Sequence, residues 1–88
     1  MISTATWLAI RRPVPQKLPA KLLAIRETFG ASQSQMARAL NCKVITARIS
    51  EYEHGTREPN LIVLLAYARL AEIPLEQIID DRKDITLP

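Results

Sequence analysis

The chain has 88 residues, 48% of them hydrophobic, and a formal net charge of +3, which describes one small domain and argues against wholesale disorder. Its longest apolar runs fall far short of a membrane span, and the basic residues of Met1–Arg12 follow the apolar ones, so neither a membrane segment nor a signal peptide is read there. The lone Cys42 permits no internal disulfide, which suits a reducing compartment and sets the expectation of a cytoplasmic protein.

Residues 1–16 show no periodicity. They carry Trp7, Leu8 and Ile10, then Arg11-Arg12, then Pro13 and Pro15. They read as an N-terminal arm, either a disordered terminus or a basic arm that lies along a polyanion. The first helix should start near Pro19, whose fixed φ suits a first helical turn. Leu18, Leu22, Ile25 and Phe29 then form one apolar stripe, and Gly30 is the left-handed stop. A second helix opens on Ser32 with Gln35 three places on, a capping box. Met36, Ala37 and Leu40 form its buried face, and Asn41 tolerates positive φ at its end.

A third helix should open near Thr46 as its cap and run to about His54, with Gly55 as its stop. Ile49 and Tyr52 face inward. The fourth opens on Asn60 after Pro59 and is expected to bury Leu61, Leu64, Leu65, Ala68 and Ala71. A short fifth follows Pro74 with Leu75, Ile78 and Ile79. Residues 82–88 read as a polar C-terminal tail. No strand pattern persists. The expected fold is all-α, a compact bundle of four to five short helices over residues 17–81.

The sequence offers no nucleophile–base set, no glycine loop for phosphates and no cluster of metal ligands, so neither enzyme, cofactor nor metal is expected. His54 is the only histidine, and a cation at a helix end is its default role. Cys42 reads as a packing residue before a redox sensor. Charge is unevenly spread. Met1–Asn60 holds nine Lys/Arg against four Glu, whereas Leu61–Pro88 holds three against five acidic residues. A basic first part suits a polyanion met by one face.

The second and third helices, joined by a tight turn, have the layout of a helix-turn-helix, a reader of double-stranded DNA. Small Ala37 suits the helix crossing. Ala47, Arg48, Ser50 and Glu51 are available on the outer face of the third helix, and the first turn of the second offers free N–H groups and Gln33 to a phosphate. Arg48 suits either guanine or a phosphate. Glu51 suits cytosine N4, or repels phosphates, or pairs with a basic neighbour.

Ile25-Arg26, Gly30, Ser32-Gln33, Met36-Ala37, Leu40, Ile49-Ser50, Glu53, Gly55, Arg57, Pro59, Leu64 and Ala68 together resemble the xenobiotic-response-element family of Cro and phage repressors, with a lambda-repressor-like bundle. That resemblance implies a sequence-specific DNA-binding regulator, a repressor in the first instance. It assigns Gln33 and Arg57 to phosphates, and Thr46, Ala47, Arg48, Ser50 and Glu51 to base and backbone contacts by a recognition helix at about 46–54. It pairs Arg26 with Glu53 in a partly buried ion pair. The chain departs from the family in two places. Eight residues separate Leu40 from Ile49, about two more than is common, so either the turn is longer or the third helix starts earlier. Glu72 stands where the family has a helix-ending glycine.

A homodimer is expected, built on the apolar end of the chain: Ile73, Leu75, Ile78, Ile79, Ile85 and Leu87. The alternative is an antitoxin that binds a partner toxin through the arm around Trp7 and the tail, and that autoregulates its operon.

Overall fold

The computed structural model describes residues 14–87; the arm expected over residues 1–16 therefore lies, up to Pro13, outside the described residues. Among these residues five helices follow in order: α1 (Leu18–Thr28), α2 (Gln33–Leu40), α3 (Thr46–His54), α4 (Leu61–Ala71) and α5 (Leu75–Ile79). No strand occurs among the described residues. Helix α1 packs on α3, α4 and α5, α2 packs on α3 and α4, and α4 packs on α5.

Local chemistry sets most of the boundaries. Ser32 Oγ accepts the Gln35 N–H at 3.0 Å while Gln35 Oε1 accepts the Ser32 N–H at 2.8 Å, which satisfies two otherwise orphaned donors at the start of α2. Asn60 Oδ1 accepts the Val63 N–H at 2.9 Å and opens α4. Asn41 ends α2 at φ 51° and Gly55 ends α3 at φ 76°. Glycine is required at the second of these. A Cβ on Gly55 would stand 3.2 Å from Pro19 Cγ, at a φ that L side chains rarely adopt.

One core runs through the bundle. Leu18, Leu22 and Ile25 of α1 meet Met36, Ala37 and Leu40 of α2, Ile49 and Tyr52 of α3, Val63, Leu64, Tyr67, Ala68 and Ala71 of α4, and Ile73 and Ile78 beyond it. Four expectations need correction. Phe29 is half-exposed, because α1 has already ended and it lies outside the stripe. Leu61 is 73% exposed and Leu65 only half-buried, while Val63 and Tyr67 are buried in their place. The α4 sequence is apolar on every face, so periodicity alone does not choose the buried one. The cap of α3 is Ile45, without a side-chain bond, and Thr46 is the first helical residue. The expected apolar end is largely consumed by the core: Ile73 and Ile78 are buried, and Leu75, Ile85 and Leu87 pack against it.

Two long-range polar contacts fasten α1. Asp81 accepts the N–H groups of Gln16 at 2.7 Å and Lys17 at 2.9 Å. Those N–H groups precede the first turn of α1, where a carboxylate also meets the positive end of the helix dipole. Buried Lys21 donates from Nζ to the carbonyls of Gln77 at 2.7 Å and Asp80 at 2.9 Å, which satisfies acceptors at the end of α5. Each helix thus completes the other's terminus. Thr86 donates its N–H to Gln77 Oε1 at 2.9 Å, so the tail lies against the bundle.

Candidate nucleic-acid interface

Helix α3 turns Ile49 and Tyr52 into the core and leaves Thr46 and Ala47 exposed, with Arg48, Ser50 and Glu51 half-buried at its flank. Burial pushes the Tyr52 phenol above its ordinary value, so Tyr52 serves as a packing residue. The extra residues before α3 lengthen the turn. Asn41–Ile45 form the connection and α3 begins at Thr46. Lys43 holds φ 61° in that turn and is exposed, as is Ile45 at 59%. The sequence reading did not single out these two side chains for the interface. The signal for them was the insertion itself, which presents both at the N-terminal end of α3.

Two carboxylates on α3 organise two separate networks. Inside, Glu53 is 4% exposed and meets Arg26 of α1 at two points, Nε to Oε2 at 2.6 Å and Nη2 to Oε1 at 2.9 Å. The Arg26 guanidinium is pushed further into its charged form by that bond. Arg26 Nη1 also donates to the Ala31 carbonyl at 3.0 Å, and Gln33 Nε2 donates to Glu53 Oε1 at 3.2 Å. Gln33, assigned to a phosphate, thus spends part of its amide on α3. The network fixes the first turn of α2 against α3 and joins both to α1.

Outside, Glu51 is shared by two arginines. Arg48 Nη1 donates to Oε1 at 2.6 Å, and Arg57 Nε donates to Oε2 at 2.8 Å. Arg57 and then Arg48 hold the Glu51 carboxyl below the usual carboxylate range. Of the three roles open to Glu51 in the sequence, the structure shows pairing with basic neighbours. Arg57 returns to α3 because the chain reverses at Gly55: the Thr56 N–H donates to the Glu51 carbonyl at 3.0 Å and the Gly55 N–H to Tyr52 at 3.3 Å, the bonds of a left-handed helix stop.

Ser50 Oγ lies 3.4 Å from His54 Nδ1, and that nitrogen donates to the Ser50 carbonyl at 2.7 Å, so His54 closes the last turn of its own helix. Cys42 packs half-buried against the core, and burial pushes its thiol up, away from the reactive thiolate. Among the described residues there is no group of three or more His, Cys, Asp or Glu placed to hold a metal, and no helix long and apolar enough to cross a membrane.

The fold has a solved counterpart. The P22 c2 repressor protein, in a crystal structure with synthetic operator 9T in the presence of Tl+, superimposes with a TM-score of 0.65 and 20% identity, over 73% of this chain and 94% of that one. No curated protein matches the chain. A helix-turn-helix family model matches residues 22–78, well over half of the sequence. That span takes in both glutamate networks and every described helix but the first turn of α1 and the last residue of α5, and the chain accordingly belongs to the helix-turn-helix family of Cro and phage-repressor type.

Proposed function

We propose that this protein is a sequence-specific regulator that binds double-stranded DNA as a repressor, with α3 in the major groove. The observation that carries this reading is α3 itself. Its inner face is locked by Ile49, Tyr52 and the Arg26–Glu53–Gln33 network, while a donor-rich outer face remains free of the core. A recognition helix needs that division, since a base edge is read only by side chains whose helix cannot rock.

Thr46, Ala47, Arg48, Ser50 and Glu51 are assigned to the groove face, with Ile45 and Lys43 added at its leading end. An exposed branched apolar chain there suits the thymine methyl, and Lys43 suits a phosphate. Arg57 is assigned to the backbone, together with the free N–H groups at the first turn of α2 beside Gln33. The P22 c2 repressor, whose fold is shared, was solved on an operator, and the same use of α3 is carried over here.

A homodimer is proposed with it. The two most exposed large apolar side chains among the described residues lie on the first turn of α4, where Leu61 is 73% and Ile62 65% exposed. Leu61, Val14 and Ile79 line a groove of about 340 Å³. A second copy is the occupant, because two recognition helices one helical turn apart read an inverted repeat. The antitoxin alternative drew on the arm around Trp7, which lies outside the described residues, and on the tail, whose Ile85 and Leu87 are packed against the core.

The test is selection of the whole chain against a random duplex library at near-physiological salt. An enriched inverted repeat is expected. A single half-site would reject the dimer, and no enrichment by folded protein would reject the DNA-binding reading.

A further inference from the structure

We propose that Glu51 is a positioning residue that sets base choice: it holds Arg48 ready for a guanine and couples that contact to the backbone contact of Arg57. The inference rests on α3 being the recognition helix and deepens that reading.

A carboxylate on a face that meets a polyanion is unfavourable unless it is neutralised. Here each of its oxygens takes one arginine, Oε1 from Arg48 and Oε2 from Arg57, and the three groups together remain cationic. The donors used matter as much as the charges. Guanidinium carries five N–H donors in a rigid fork. Arg48 spends an Nη1 donor, which leaves the Nε–Nη2 edge, two parallel donors that match the O6 and N7 acceptors of guanine. Arg57 spends Nε, which leaves both terminal nitrogens for phosphate oxygens. Pairing with Glu51 therefore disables neither arginine and orders both.

The geometry also separates the two arginines by origin. Arg48 is one turn from Glu51 on the same helix, and Arg57 reaches it across the Gly55 stop. A guanidinium already held by a carboxylate loses less rotamer freedom on meeting DNA than one that waves in solvent. A wrong base opposite Arg48 leaves its free edge unpaired while Glu51 keeps the side chain from swinging to a phosphate. Base choice then depends on the carboxylate, although the carboxylate need not touch a base. Had the three groups been an ordinary surface ion cluster, removing the charge would shift all duplexes alike.

The experiment uses the operator recovered by selection and measures Kd for the whole chain, for Glu51→Gln and for Arg48→Ala. Each guanine of the half-site is replaced in turn, and an unrelated duplex serves as reference. The wild-type protein is expected to lose about tenfold or more at one guanine. Arg48→Ala abolishes that loss. Glu51→Gln shrinks it several-fold while binding the unrelated duplex at least as well as the wild type, since a negative charge has gone. Thermal melts confirm that both variants fold, and Glu51→Ala repeats the test without the glutamine amide. Full retention of the guanine penalty in both Glu51 variants overturns the proposal, as does an equal shift on operator and unrelated duplex, or an operator with no guanine-sensitive position. If the wild-type protein enriches no duplex at all, the DNA-binding reading falls first and this inference with it.

Discussion

Glu72 ends α4 at φ 57°, in the left-handed region where a Cβ crowds the following carbonyl. Its side chain is exposed, and no hydrogen bond or ion pair to it is found among the described residues. Glu72→Gly removes the crowding but adds freedom to the unfolded chain. The net expectation is a gain of about 0.5–1 kcal/mol, which raises the unfolding midpoint by a few degrees in a domain of this size. A lower midpoint in a thermal melt would show that Glu72 has a favourable role. Tyr67 poses the opposite case. Its ring fills the core without exposure, and its hydroxyl is buried with no hydrogen-bond partner among the described residues. Burial pushes that phenol well above its ordinary value. Tyr67→Phe deletes the unsatisfied group and keeps the ring, so stability should hold or rise by up to about 1 kcal/mol. A loss of stability on denaturant titration would mean that the hydroxyl has a partner after all.

The helices differ in how far their sequences define them. The starts of α2 and α4 were legible because Ser32–Gln35 and Asn60 act within one turn, and local bonds need no tertiary knowledge. The buried face of α4 was not, because Leu61-Ile62-Val63-Leu64-Leu65 offers an apolar residue in every direction and only packing against α1, α2 and α5 selects among them. Lys21 was illegible for a different reason: its acceptors, the carbonyls of Gln77 and Asp80, are more than 50 residues away. In the interface, Arg48–Glu51 follows from helical spacing, whereas Arg57 reaches Glu51 only because Gly55 reverses the chain. Asp81 at the start of α1 is equally remote, and it yields a pH prediction. Its carboxyl is held below 3.8 by the N–H groups of Gln16 and then Lys17. A carboxylate whose folded value is depressed stabilises the fold above its unfolded value, and that contribution is lost as pH falls through the folded one. Asp81→Asn should therefore lower the unfolding midpoint near neutrality, with the gap to wild type closing as pH drops below 3.8. Thermal melts across pH 2–7 (about that range, chosen to bracket carboxylate titration) check this. A gap independent of pH would assign the loss to shape and leave the charge no part in it.

The whole molecule presents a basic reading surface and, on the first turn of α4, an apolar one, and the two make separable demands on binding. Arg57 is half-exposed, and its bond to Glu51 uses Nε, not a terminal nitrogen. Arg57→Ala should weaken binding to every duplex and reduce the slope of log K against log salt by about 0.9, the share of one phosphate contact. An unchanged slope would remove Arg57 from the backbone. The apolar surface is the one proposed for assembly. Leu61 and Ile62 stand 73% and 65% exposed on one helical turn, and Leu61 shares its groove with Val14 and Ile79. Exposed leucine contributes nothing to the monomer's core, so Leu61→Glu should cost the isolated fold within about 0.5 kcal/mol. In a two-fold interface the same change sets two carboxylates against an apolar surface at once, since every contact in such an interface occurs twice. Sedimentation of Leu61→Glu should therefore give a monomer at concentrations where the wild-type chain is a dimer. Affinity for a full inverted repeat should fall towards that for a single half-site, with an unaltered half-site preference. Tail variants at Ile85 or Leu87 should behave differently, because those side chains pack on the core and their loss lowers the melting point before it changes the mass. A Leu61→Glu protein that sediments as a dimer would move the interface off α4, and a wild-type chain that stays monomeric on an inverted repeat would leave the two half-sites to be read independently.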